Sequence, residues 1–156
     1  MFALRLVQLI ELNADKLAEG LIHRLKHSDS CSELMAYVPA HELRDRVFEI
    51  YRNVADWTLN KTTAEVEERY FGIGVRRAHQ GVPFSQFLYA IQATKENLWD
   101  FMQQEGLLEP GDLINQMELL RAIEHFFDRA LYFASIGHES VMQNEFIRSQ
   151  MAVQTA

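Results

Sequence analysis

The chain has 156 residues, 48% of them apolar and 24% charged, with seven Gly, three Pro and a formal net charge of −7. The apolar fraction excludes a disordered chain, and so few Gly and Pro exclude collagenous and low-complexity classes. The acidic balance argues against nucleic acid and anionic membrane surfaces as partners, because both are bound through clustered Lys and Arg.

At this length a self-sufficient hydrophobic core is available without disulfides or metals. Cys31 is the single cysteine, so no intramolecular disulfide and no Cys-rich zinc site can form. Met1 to Ile10 is apolar, but Arg5 and Gln8 interrupt it before it could act as a signal-peptide core. The longest stretch without a formal charge, Ala78 to Thr94, carries Gln80, Pro83, Ser85, Gln86 and Gln92 and does not suit a bilayer. The expectation is one soluble, cytoplasmic domain over 1–156.

Periodicity predicts five helices and no strands. Val7, Ile10, Ala14, Leu17, Leu21 and Leu25 recur at helical steps, which predicts one amphipathic helix ended by Ser28-Asp29-Ser30. A second stripe, Leu43, Val47, Ile50, Val54 and Trp57, follows Pro39 and predicts a helix to about Asn60. Thr62 and Glu65 have capping-box spacing for a third, whose inner face holds Val66, Tyr70, Ile73 and Arg77. Gly81 stops that helix and Val82-Pro83 turns the chain into a fourth, with Phe84, Phe87, Leu88, Ile91, Leu98 and Met102 inward. Glu105-Gly106 and Pro110-Gly111 precede the last helix, expected from Asp112 to about Arg148 and roughly 55 Å long at 1.5 Å per residue. Its inward residues are read as Leu113, Met117, Leu120, Ile123, Phe127, Leu131 and Ala134. A helix that long outruns its partners, so its end protrudes or pairs with another chain. Gly137 is a candidate kink, and the frame His138, Met142, Glu145, Ser149 is too polar for a coiled-coil seam.

Candidate chemistry is sparse. Glu19, His23 and His27 share one helix face, yet Arg24 and Lys26 crowd them, and histidines in a last helical turn are already explained by the helix dipole. His41-Glu42-Leu43-Arg44 is similar to the phosphoacceptor box of sensor histidine kinases, but Asp45-Arg46 replaces the Thr-Pro expected there. His79 lacks the Lys that a phosphotransfer motif would place three residues later. His125, beside Phe126 and Phe127, is the best single candidate for a haem ligand, so haem is the one cofactor alternative to none. Gly72 and Gly74 lack a preceding strand and suit close helix approach rather than a nucleotide loop. There is no Gly-x-Ser-x-Gly elbow and no di-iron Glu-x-x-His pair, so an enzyme is not expected.

Arg77 is the most informative residue. A guanidinium on an inward face needs a carboxylate or an anion. A salt bridge to Glu96 or Asp100 on the following helix is the simpler solution. The sharper one is a polar pocket in which Arg77 and Gln80, with Tyr70 and Trp99, hold a small anionic ligand beside the Gly81-Pro83 corner.

The stretch Arg69 to Trp99 resembles the N-terminal domain of RsbRD-type proteins, co-antagonists of the switch kinase RsbT in stressosome signalling. The resemblance rests on Arg77-Ala78, Gln80-Gly81-Val82-Pro83, Phe87-Leu88, Ala90 and Leu98-Trp99. It implies an all-helical, often dimeric sensory or interaction domain placed ahead of output modules such as STAS domains, histidine kinases or DNA-binding regulators. It brings no catalytic residues, and related stressosome input domains look like globins that lack haem. The expected partners are a second copy of the chain and a regulatory protein or output domain. No output domain follows Ala156 in this sequence, which leaves open a piece of a larger regulator and a module acting alone. The expected mechanism is a shift of the third and fourth helices at Gly81-Pro83 that reorients the last helix. A haem- or small-ligand-binding globin-like sensor and a histidine phosphotransfer protein are the alternatives.

Overall fold

The computed structural model describes residues 2–105 and 113–155, and these are helical with no strand among them. The α-helices are α1 (Phe2–Leu12), α2 (Ala14–Lys26), α3 (Ser32–Tyr37), α4 (Ala40–Arg52), α5 (Thr63–His79), α6 (Phe84–Gln104) and α7 (Leu113–Thr155). A 3-10 turn, Asp29–Cys31, precedes α3, and a π-helical turn, Asp56–Asn60, precedes α5. The Glu105-Gly106 and Pro110-Gly111 signals, apart from Glu105 itself, lie outside the described residues.

The first predicted helix is two. Its stripe is buried throughout, from Val7 to Leu25, but the helix breaks at Asn13, whose side-chain amide donates to the Leu9 carbonyl oxygen at 2.7 Å. A short amide side chain bonding back to its own backbone competes with helix continuation. The second predicted helix likewise stops at Arg52, where Asn53 donates from Nδ2 to the Glu49 carbonyl oxygen. The short α3, six residues long, has too few turns to show a period in the sequence. Its first turn is held from outside: Gln86 Oε1 accepts from the backbone N–H of both Glu33 and Leu34, at 2.9 Å each.

The capping box forms as expected. Thr62 Oγ1 accepts from Glu65 N–H at 3.3 Å, and Glu65 Oε2 accepts from Thr62 N–H at 2.7 Å. At the other end of α5, Gly81 adopts φ +80. There Val82 N–H bonds to the Arg77 carbonyl and Gly81 N–H to the Ala78 carbonyl, the paired pattern of a Schellman stop, which only glycine accommodates without strain.

Most of the buried apolar residues form one contiguous cluster from Leu6 to Ala134. Each fully buried Leu, Ile or Phe in it stabilises the fold by roughly 1.5–3 kcal/mol. One buried polar network crosses it: Tyr51 donates to the Thr94 carbonyl at 2.8 Å, while Asn97 donates to Tyr51 Oη and to the Leu17 carbonyl. That network ties α2, α4 and α6 together at positions no apolar contact would specify.

The most intimate helix pair is α5 with α7. Contacts step forward along both: Tyr70 meets Phe126, Gly74 meets Ala134, and Val82, just past α5, meets His138. A Cβ on Gly74 would collide with the Ala134 carbonyl, and one on Gly137 with the Phe71 carbonyl. Gly137 is therefore a site of close approach, and α7 runs through it without a break. Gly72 has open space around it and plays no such part. The inward face of α7 also differs from expectation near its start, where Gln116 is buried and Met117 is 58% exposed. From Met142 to Gln154 every residue of α7 is exposed, so about 20 Å of helix stands clear of the bundle.

Candidate functional site

Arg77 is buried to within 3% on its side chain, and its partner comes from α4. It donates to Glu42 Oε1 at 2.8 Å and to Gln80 Oε1 at 2.8 Å, and Gln80 Nε2 in turn donates to both Glu42 oxygens. Arg76 forks onto Glu42 from the solvent side through Nε and through Nη2, the latter at 2.9 Å. The hydrogen bond from Arg76, reinforced by Arg77, outweighs the desolvation of Glu42 and pulls its carboxyl down to about 2. Burial lowers the Arg77 pKa and Glu42 opposes that shift.

The expectation of a bridge to the following helix is thus corrected. Asp100 pairs with Arg24 at 2.6 Å instead. Arg77 and Gln80 do come together as the sequence reading placed them, but the charge they share is already balanced by Glu42. The same carboxylate answers the kinase-like box: His41 is exposed, while its neighbouring acid is turned into α5.

Tyr70 lies two helical turns back along α5, with its ring 5.8 Å from that of Trp57 and 5.6 Å from that of Phe126, edge-on to both. Burial raises its pKa well above the ordinary phenol value, and its hydroxyl makes no hydrogen bond among the described residues. Tyr70 and Arg77 border a largely apolar cavity of about 60 Å³ between α4, α5 and α6, with Ala90 and Thr94 on the α6 side. Neither Gln80 nor Trp99 lines it. Trp99 faces α7, where its indole N–H donates to Glu124 Oε1 at 2.8 Å and Lys95 shares the same carboxylate.

The residue that sequence reasoning missed is His138. It is 4% exposed, packs beside Phe84 and Phe87, and donates from Nε2 to the Val82 carbonyl oxygen at 2.9 Å. That bond joins the middle of α7 to the Gly81-Pro83 corner, and a carbonyl can only accept, so the proton sits on Nε2. In the sequence His138 looks like a polar residue weakening a heptad frame. Only its distance from a corner 56 residues upstream reveals its role.

The other histidines stay at the surface. The His23 and His27 rings lie 4.2 Å apart, tilted by 39°, and His27 Nδ1 donates to the His23 carbonyl. Among the described residues no group of three or more His, Cys, Asp or Glu side chains is placed to hold a metal ion. His79 and His125 are exposed, and the cavity beside Tyr70, about 60 Å³, is far too small for a haem macrocycle. Among the described residues no helix is long and apolar enough to cross a membrane.

A family model described as the RsbT co-antagonist protein rsbRD N-terminal domain matches residues 15–148, which run from the start of α2 to beyond the body of α7. No curated protein and no solved structure matches the chain.

Proposed function

The chain belongs to the RsbT co-antagonist rsbRD N-terminal domain family, a stressosome-type signalling family, and from that premise we propose that it is a non-catalytic sensory or protein-interaction domain whose output is the position of α7. The domain comprises the whole of 1–156 and works in the cytoplasm. Its partners are a second copy of the chain and a regulatory protein or output module.

The observation that supports this reading is the hydrogen bond from His138 to Val82. The α5-α6 corner carries the Schellman stop, and its exit is bonded to a buried residue of the helix that leaves the bundle. Helices packed backbone to backbone at Gly74 and Gly137 cannot deform continuously, so a displaced corner moves α7 as a rod. The exposed half of that rod presents Met142, Phe146 and Val153 along one side, an apolar strip suited to a second copy of the same helix.

The test is His138→Leu, which keeps the packing volume and removes the hydrogen bond. Amide exchange across 142–155 and the monomer–dimer balance are compared with those of Thr62→Ala, a destabilising control remote from the corner. Exchange in that segment at least tenfold faster than in the control is expected. Equal exchange and an unchanged dimer balance would show that the corner and α7 are not coupled.

A further inference from the structure

Native cores leave few voids larger than a water molecule, and a buried hydroxyl without a partner is costly. Here a small cavity is lined by a tyrosine that is almost fully buried and whose hydroxyl makes no hydrogen bond among the described residues. The cavity beside Tyr70 is about 60 Å³, on the order of four water-sized volumes. Of the other polar groups on its wall, Thr94 Oγ1 donates to the Ala90 carbonyl at 2.7 Å, Arg77 Nη1 donates to Glu42 and Gln80, and Arg46 Nη1 pairs with Glu49. The Tyr70 hydroxyl, on a residue 5% exposed, is the neutral donor on that wall that makes no hydrogen bond among the described residues.

We propose that this cavity is a binding site for a small uncharged molecule of about four non-hydrogen atoms, apolar except for one acceptor oxygen that takes the Tyr70 hydroxyl proton. A charged ligand does not fit, because the one buried cation already has its carboxylate and the rest of the wall is mainly aliphatic and aromatic. The occupant touches Ile73 on α5 and Ala90 on α6, each about two helical turns from the corner between them. It therefore wedges the two helices whose junction His138 holds. The assignment names the ligand class for the sensory reading above and rests on it only for that consequence, since binding is measured by itself. A ligand of this size has an affinity ceiling of roughly tens of micromolar.

Acetone and xenon are the probes, one with an acceptor oxygen and one without. Titration of the full chain followed by backbone amide NMR is expected to give saturable shifts confined to the surroundings of Tyr70, Ile73, Ala90 and Thr94 with both. Tyr70→Phe lowers acetone affinity by about tenfold and leaves xenon unchanged, the loss expected for one hydrogen bond. Ala90→Leu fills the space and removes both responses, and Ala90→Val serves where the larger side chain prevents folding. Scattered or non-saturating shifts, or full binding by the filled variants, would overturn the site. Acetone binding without any change in α7 exchange would uphold the site and overturn the relay. An effect of His138→Leu on α7 with no probe entering the wild-type chain would do the reverse.

Discussion

Glu42 carries more of the site than its place in the sequence suggests. One carboxylate accepts from Arg76, Arg77 and Gln80, so removing its charge leaves the Arg77 guanidinium buried without a counter-ion. Glu42→Gln is expected to lower unfolding free energy by about 3 kcal/mol, the low end of the cost of breaking a buried pair, as read from urea denaturation. The pH dependence has a definite sign. A carboxyl lowered from 4.5 to about 2 in the folded state adds stability that is full above pH 4.5 and disappears as the pH falls towards 2. The wild-type chain should lose stability across that window, and Glu42→Gln should lose correspondingly less. That Arg77 is an inward cation needing a partner was legible from its place after Val66, Tyr70 and Ile73. The partner was not, because Glu42 lies 35 residues upstream on a helix whose packing angle no local pattern encodes.

At the scale of elements, signals that act over three or four residues were read correctly. The capping box at Thr62-Glu65 and the glycine stop at Gly81 are local hydrogen-bond chemistry, and both form. Thr62→Ala should cost about 1 kcal/mol in thermal or chemical unfolding. The two glycines of α5 separate local from tertiary effects. Gly72→Ala enters open space and gains helix propensity, so it should stabilise by up to about 1 kcal/mol. Gly74→Ala meets the Ala134 backbone and should destabilise the chain despite the same propensity gain, with Gly137→Ala behaving alike. Equal thermal midpoints for Gly72→Ala and Gly74→Ala would contradict the backbone contact between α5 and α7. Breaks inside predicted helices escaped the sequence reading because the apolar stripe continues across them. Asn13 and Asn53 interrupt the backbone while Ala14 and Val54 remain buried on the same side.

For the whole molecule, the decisive feature is a 43-residue α7 whose first part belongs to the core and whose last part does not. Phe146 is 64% exposed, so if the chain pairs through this end as proposed, Phe146→Glu should leave the unfolding midpoint of the bundle unchanged while shifting the chain from dimer to monomer in native mass spectrometry. A variant that stays dimeric would place the pairing surface elsewhere. Composition and periodicity by themselves determined that the chain is all-helical, that its last helix outlasts its partners, and which faces of most helices turn inward. Burial of apolar stripes is a property each helix carries in its own sequence. Tertiary structure alone decided which carboxylate neutralises Arg77, that Trp99 and Tyr70 face different sides of α6, and that His138 holds the corner. Those outcomes depend on which helices meet and at what register, and that is settled by the simultaneous packing of all of them rather than by any one segment.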